Sequence, residues 1–242
     1  MNVYTALICN QLQTLNLFRQ KMHNNIKKTE NRLKMVKKQI EPEAMESILK
    51  EVLLRIRESS ECQSVAIRLN KKSDFPYFSQ IGFPSSFVHK ESLLNVRDGE
   101  GNLVLTDDGT PIVECMCGNV LQSRVNPKYP YFAKDGAFWT NSTTVLLESL
   151  TETERRAIDR TRNTCHDYGY ESVALIPIHA DGKIIGLIQI NDPCENRFTL
   201  EKIEKYQSLA DHLGSLILNI LEFYEKINHV FNPSSEMENV ER

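Results

Sequence analysis

Residues 172–191 read SVALIPI, then HADGK, then IIGLIQIN. Two apolar runs joined through an Asp-Gly pair predict an antiparallel hairpin, with strands over Ser172–Ile178 and Ile184–Asn191 and ADGK as its turn. A helical pattern follows over Leu200–Ile227. It places Ile203, Tyr206, Leu209, Leu213, Leu216, Ile217, Ile220 and Phe223 on one apolar face. A hairpin this apolar needs cover, and a long amphipathic helix directly after it can supply that cover.

The front of the chain repeats the arrangement. Residues 43–59 form a second helical pattern, with Met45, Ile48, Leu49, Val52, Leu53 and Ile56 on one face and Pro42 at its start. Ser64–Leu69 (SVAIRL) alternates as a strand, and Pro76–Phe83 (PYFSQIGF) reads as its antiparallel partner across the turn KKSD. Residues 97–111 are rich in Gly and Asp, which indicates a loop or a loose hairpin. Glu114–Arg124 (ECMCGNVLQSR) is expected to open a short helix after Gly118. Glu152–Cys165 reads as a charged helix, with Thr151 as its cap and Glu154 closing a capping box. The order of elements describes an α+β fold: an antiparallel sheet with helices packed on one face and a loop-covered pocket on the other.

Charge is unevenly placed. Residues 1–40 hold eight Lys and Arg against one Glu, and the whole chain is −3, so the remainder is net acidic. The basic segment also carries a helical stripe over residues 15–40. We read three parts: a basic helical extension over 1–42, a sensor-like domain over 43–228, and a disordered tail over 229–242. No stretch reaches the ~18 apolar residues of a membrane span, and nucleic acid is not an expected partner. The first residues lack a basic start and a small-residue cleavage site, so a cytoplasmic chain with reduced thiols is expected.

Six cysteines are present. Cys115 and Cys117, followed by Gly118, form the most informative local feature. Two thiols two residues apart diverge on a helix and share a face on a strand; Gly118 permits an intervening turn. Cys165 is a candidate third thiol, and Cys194, His166 or Asp192 a fourth. Three readings stay open on the residues alone. The set Cys115, Cys117, Cys165 and Cys194 could ligate a metal ion, Cys117 and Cys165 could act as a low-pKa and a resolving thiol, or the cysteines could pack as small buried hydrophobes. Cys9 and Cys62 have no partners in sequence. Trp139 and Asn141, in the segment GAFWTNSTT, are further candidates for contact with a ligand or cofactor. Asn141 or Ser142 serves equally well as a helix cap. No nucleophile elbow and no Gly-rich phosphate loop occurs, so an enzyme is the less favoured class.

The stretch SVALIPIHADGKIIGLIQIND followed by FTLEKIEKYQSLADHLGSLI resembles the closing half of a GAF domain, and the chain from EAMESILKEVLLRIRESSECQSVAIRL onward fits the front half. A narrower likeness joins DFPYF, ECMCGNV, FWTNST, RNTC and GYESVALIPI to the cysteine-containing GAF domains of anaerobic bacterial and archaeal sensor histidine kinases. That resemblance implies a sensory module that binds a small ligand, haem or a metal ion, or that senses redox state. A homodimer paired through the flanking helices, 15–59 and 200–227, and a signalling protein partner would follow. A second resemblance, to free methionine sulfoxide reductase, rests on MCG and TCHDYGYESVALIP and would give Cys117 and Cys165 catalytic roles. Here the extra thiol stands at Cys115, two residues before Cys117, and QIND replaces that enzyme's acidic run. With no kinase, cyclase or phosphodiesterase sequence present, the module is expected to stand alone and to signal by association.

Overall fold

The computed structural model describes residues 21, 27–28, 45–158 and 160–231. Of the basic helix expected over 15–40, only positions 21, 27 and 28 are described, all of them helical; the polar tail after Phe231 lies outside the described residues. Residues 46–222 form one compact unit, and residues 1–45 with 223–242 form another.

The first unit is built on a five-stranded sheet. Helix α1 (residues 45–60) leads into β1 (Ser64–Leu69) and β2 (Tyr77–Ile81). There follow α2 (Ser85–Lys90), α3 (Cys115–Leu121), β3 (Phe138–Thr140), α4 (Thr143–Ser149), α5 (Glu152–Ala157) and α6 (Thr164–Asp167). The chain then forms β4 (Ser172–Ala180), β5 (Lys183–Asp192) and α7 (Leu200–Phe231). Strand order is β2-β1-β5-β4-β3, antiparallel throughout.

The central hairpin follows its turn chemistry. Asp181 and Gly182 have φ 48° and 70°, the paired positive φ that a two-residue type I′ turn needs. Ala180 therefore pairs with Lys183, and after a register shift between Ile178 and His179 the pairing runs on to Ser172 opposite Asp192. β4 is buried along nearly its whole length because both faces are covered. Helix α7 lies on one face: Gly214 packs so closely that an added Cβ would sit 1.9 Å from the His179 carbonyl oxygen. Gln207 Nε2 donates to the Pro177 carbonyl at 3.1 Å. Leu49, Leu53 and Ile56 of α1 are fully buried. The opposite face, carrying Ala66, Val173, Leu175 and Leu187, packs against α3 and the segments around it.

Three expectations change. The segment read as β2 is shorter than Pro76–Phe83. The charged helix does not reach Cys165; it ends at Ala157, and Arg160 and Asn163 take left-handed φ of 64° and 55°. Its capping box at Thr151 and Glu154 forms as read. The helix expected after Gly118 begins three residues before it, at Cys115. Residues 97–111 are a loose double hairpin, held by bridges between Arg97 and Leu103 and between Leu105 and Pro111. Among the described residues no helix is long and apolar enough to cross a membrane.

Candidate functional site

Helix α3 carries the Cys-Met-Cys-Gly segment, and all seven of its residues are buried. Gly118 is needed there for approach, not for a turn. A Cβ at this position would lie 2.4 Å from the Val113 carbonyl oxygen, so only glycine lets α3 fold back onto the segment that leads into it. Cys115 opens the helix at φ 67°, a conformation costly for a residue with a Cβ. Its N–H donates to the Arg160 carbonyl at 2.9 Å. The Glu114 carboxylate accepts from Arg162 Nε at 2.8 Å, and Arg162 also pairs with Glu91 at 3.6 Å.

This backbone turns two neighbouring thiols toward each other. The Cys117 side chain and the backbone N–H groups of Arg162 and Cys117 act on the Cys115 sulfur. These donors favour the thiolate, and they outweigh burial and the Glu91 charge, so the Cys115 thiol is held down to about 7. Cys117 moves the other way: it keeps its proton to donate, and it is buried, so its thiol is pushed well up. The shifts thus lower the Cys115 thiol and raise that of Cys117, which the sequence reading takes as the low-pKa thiol. The donors converge on Cys115, whose left-handed backbone could not be read from residue order.

Cys165 stands on α6. Burial raises its thiol, as does the nearby Cys115 charge. Gln189 Nε2 donates to its sulfur at 3.6 Å. The Gln189 carbonyl oxygen in turn accepts from the Tyr77 hydroxyl at 3.0 Å. The Tyr77 ring carries the Arg68 guanidinium, whose Nη1 and Nη2 donate to the Phe75 and Glu91 carbonyls at 2.9 and 2.6 Å. Sequence reading missed Arg68, Tyr77 and Gln189. An arginine and a glutamine at inward positions of otherwise apolar strands were the available signal.

The three thiols border one cavity of ≈ 60 Å³. Its sulfur wall comes from α3 and α6, its apolar floor from Phe138, Val173 and Leu175, and a further wall from Leu146 and Leu147 of α4. A water needs roughly 10–15 Å³ of such space, so the cavity holds a few non-hydrogen atoms. It does not fit haem. Among the described residues no group of three or more His, Cys, Asp or Glu side chains could hold a metal ion. Cys194 is exposed in the β5–α7 loop and does not line the cavity.

Trp139 and Asn141 also lie elsewhere. Strand alternation sends Phe138 into the cavity and leaves Trp139 outside its lining. Asn141 clamps the backbone of Phe198, donating from Nδ2 to its carbonyl at 2.8 Å and accepting its N–H at 2.9 Å. Ser142 caps α4 by accepting from the Val145 N–H. His166 does line the cavity, hydrogen-bonded through Nδ1 to the Thr143 hydroxyl.

Solved structures with a similar fold include type II free methionine-R-sulfoxide reductase from Thermoplasma acidophilum, at 14% identity and TM-score 0.48 over 75% of this chain and 95% of that one. The PixJ GAF domain of Thermosynechococcus elongatus aligns at 13% identity and TM-score 0.47, over 82% and 98%. A GAF domain/HD domain protein from Geobacter sulfurreducens aligns at 15% and 0.45, over 73% and 94%. No curated protein matches the chain. The family match itself runs over residues 44–217, from α1 through the sheet and all three cavity cysteines into α7, and the chain therefore belongs to the GAF domain family.

Proposed function

We propose that this GAF domain is a thiol-based redox sensor in which Cys115 reacts with a peroxide and Cys117 closes a disulfide with it. The observation that carries the reading is that Cys115, its thiol lowered, and Cys117, two residues on, both line one small cavity. The Cys115 thiolate attacks one peroxide oxygen. The sulfur–oxygen bond forms, the O–O bond breaks, and the departing oxygen takes the Cys117 proton. The Cys117 thiolate then attacks the Cys115 sulfenic acid, forming the S–S bond and releasing hydroxide, which solvent protonates to water. Two thiols lose two electrons in total, and the peroxide is reduced. Thiolate availability and access set such reactivity, and the cavity gives a small oxidant its route to otherwise buried sulfurs.

The reductase alternative, with Cys117 and Cys165 as its catalytic thiols, finds less support. A free amino-acid substrate carries an ammonium and a carboxylate, and the cavity lining contains no Asp, Glu, Lys or Arg. For output we propose pairing through the flanking helices, since Ile48 and Leu54 of α1 and Leu209, Leu216 and Leu221 of α7 are exposed. The test is intact-protein mass spectrometry after a stoichiometric peroxide pulse. Loss of two hydrogens, reversed by dithiothreitol and absent in Cys115→Ser, is expected. An unchanged count of alkylatable thiols under excess peroxide overturns the reading.

A further inference from the structure

We infer that the oxidant this cavity selects is a small organic hydroperoxide with a short branched alkyl group, in preference to hydrogen peroxide. The inference rests on the redox reading above and adds the substrate class. Hydrogen peroxide carries two hydroxyls, both of which must leave water to reach Cys115. The space beside the sulfurs offers them little. Phe138, Val173 and Leu175 form its floor and Leu146 and Leu147 another wall. Thr143, Thr161, Asn163 and His166 are the polar residues besides the cysteines in the lining, and the Thr143 hydroxyl is already engaged, donating to the Tyr170 carbonyl at 2.8 Å and bonded to His166 Nδ1 at 3.2 Å. An unpartnered hydroxyl moved into such surroundings is penalised. An organic hydroperoxide brings one hydroxyl to the thiolate and lays its alkyl group on the leucines.

Each methylene transferred from water to apolar surroundings favours binding by about fourfold, so three or four carbons amount to tens-fold or more. Size sets the upper bound: a cavity of ≈ 60 Å³ admits a tert-butyl group and rejects a fatty-acid chain. The chemistry balances as before. The thiolate takes the distal oxygen, the alkoxide leaves with the Cys117 proton as an alcohol, and the disulfide forms with release of hydroxide.

The test compares second-order rates of Cys115–Cys117 oxidation by tert-butyl hydroperoxide, hydrogen peroxide and a fatty-acid hydroperoxide, each divided by its rate with free N-acetylcysteine. Tert-butyl hydroperoxide is expected to lead hydrogen peroxide by about tenfold or more, the range by which apolar pockets distinguish a few carbons, with the fatty-acid hydroperoxide slowest. Leu147→Asn is expected to erase that lead, the fold being checked by its thermal melt. Hydrogen peroxide reacting as fast as the alkyl compound overturns the selectivity and leaves the redox reading standing. Absence of the disulfide with every oxidant overturns both.

Discussion

The guanidinium carbon of Arg68 sits 3.6 Å from the centroid of the Tyr77 ring, and Arg68 has no exposed surface. A cation in that position survives because its Nη1 and Nη2 donate to the Phe75 and Glu91 carbonyls and its face meets an aromatic ring. It thereby ties β1 to the start of β2 and to the end of α2. Replacing Arg68 with Met keeps much of the volume but orphans two buried carbonyls. A loss of about 2–4 kcal/mol is expected, read as a lower urea midpoint at unchanged m-value.

Gly118 offers a sharper test of how α3 is seated. A methyl group there meets the Val113 carbonyl oxygen at 2.4 Å, so the backbone must move. Gly118→Ala should cost about 1–3 kcal/mol and slow alkylation of Cys115, whose donors are placed by the same turn. Gly99→Ala, with no heavy atom within 4 Å of the new Cβ, is the control and should leave both measurements unchanged.

These two residues also mark where sequence reading stopped. The β4–β5 hairpin was legible because Asp181-Gly182 states its own turn and the flanking runs are long and apolar. Cys115, Cys117 and Cys165 stood out as rare residues in the sequence, and all three line one cavity. Which thiol is acidic was not, since that depends on the left-handed φ of Cys115 and on an N–H from Arg162, 47 positions away along the chain. Arg68 was hidden for a related reason. An arginine in an alternating strand reads as solvent-facing unless its acceptors, supplied here by distant backbone, are known. The charged helix was overextended because nothing local at Arg160 announces that its carbonyl is taken by the Cys115 N–H.

Asn141 separates a ligand contact from a structural clamp. Both hydrogen bonds of its amide go to the backbone of Phe198, immediately before α7. Asn141→Ala should lower stability by about 1–3 kcal/mol while the rate of Cys115 oxidation stays within about twofold of the unmutated protein. A changed oxidation rate at equal stability would return Asn141 to the site.

The pair at the head of α3 makes a prediction with a definite sign. Because Cys115 is held to about 7, below the ordinary thiol value of 9.0, its ionised form is favoured by the fold. Its contribution to stability is complete above the unfolded value and is lost as pH falls through the folded one. Cys117 and Cys165 are shifted upward, so what they contribute is complete below the unfolded value and is lost as pH rises beyond it. Stability should therefore climb between pH 7 and 9 through Cys115 and fall above pH 9 through the other two. Cys115→Ser should flatten the climb. Iodoacetamide alkylation of Cys115 should titrate with a midpoint near 7, and Cys117→Ala, by removing the largest stabilising donor, should move that midpoint up by about one unit or more. A midpoint unmoved by Cys117→Ala would mean that the backbone N–H groups hold the thiolate without the neighbouring thiol.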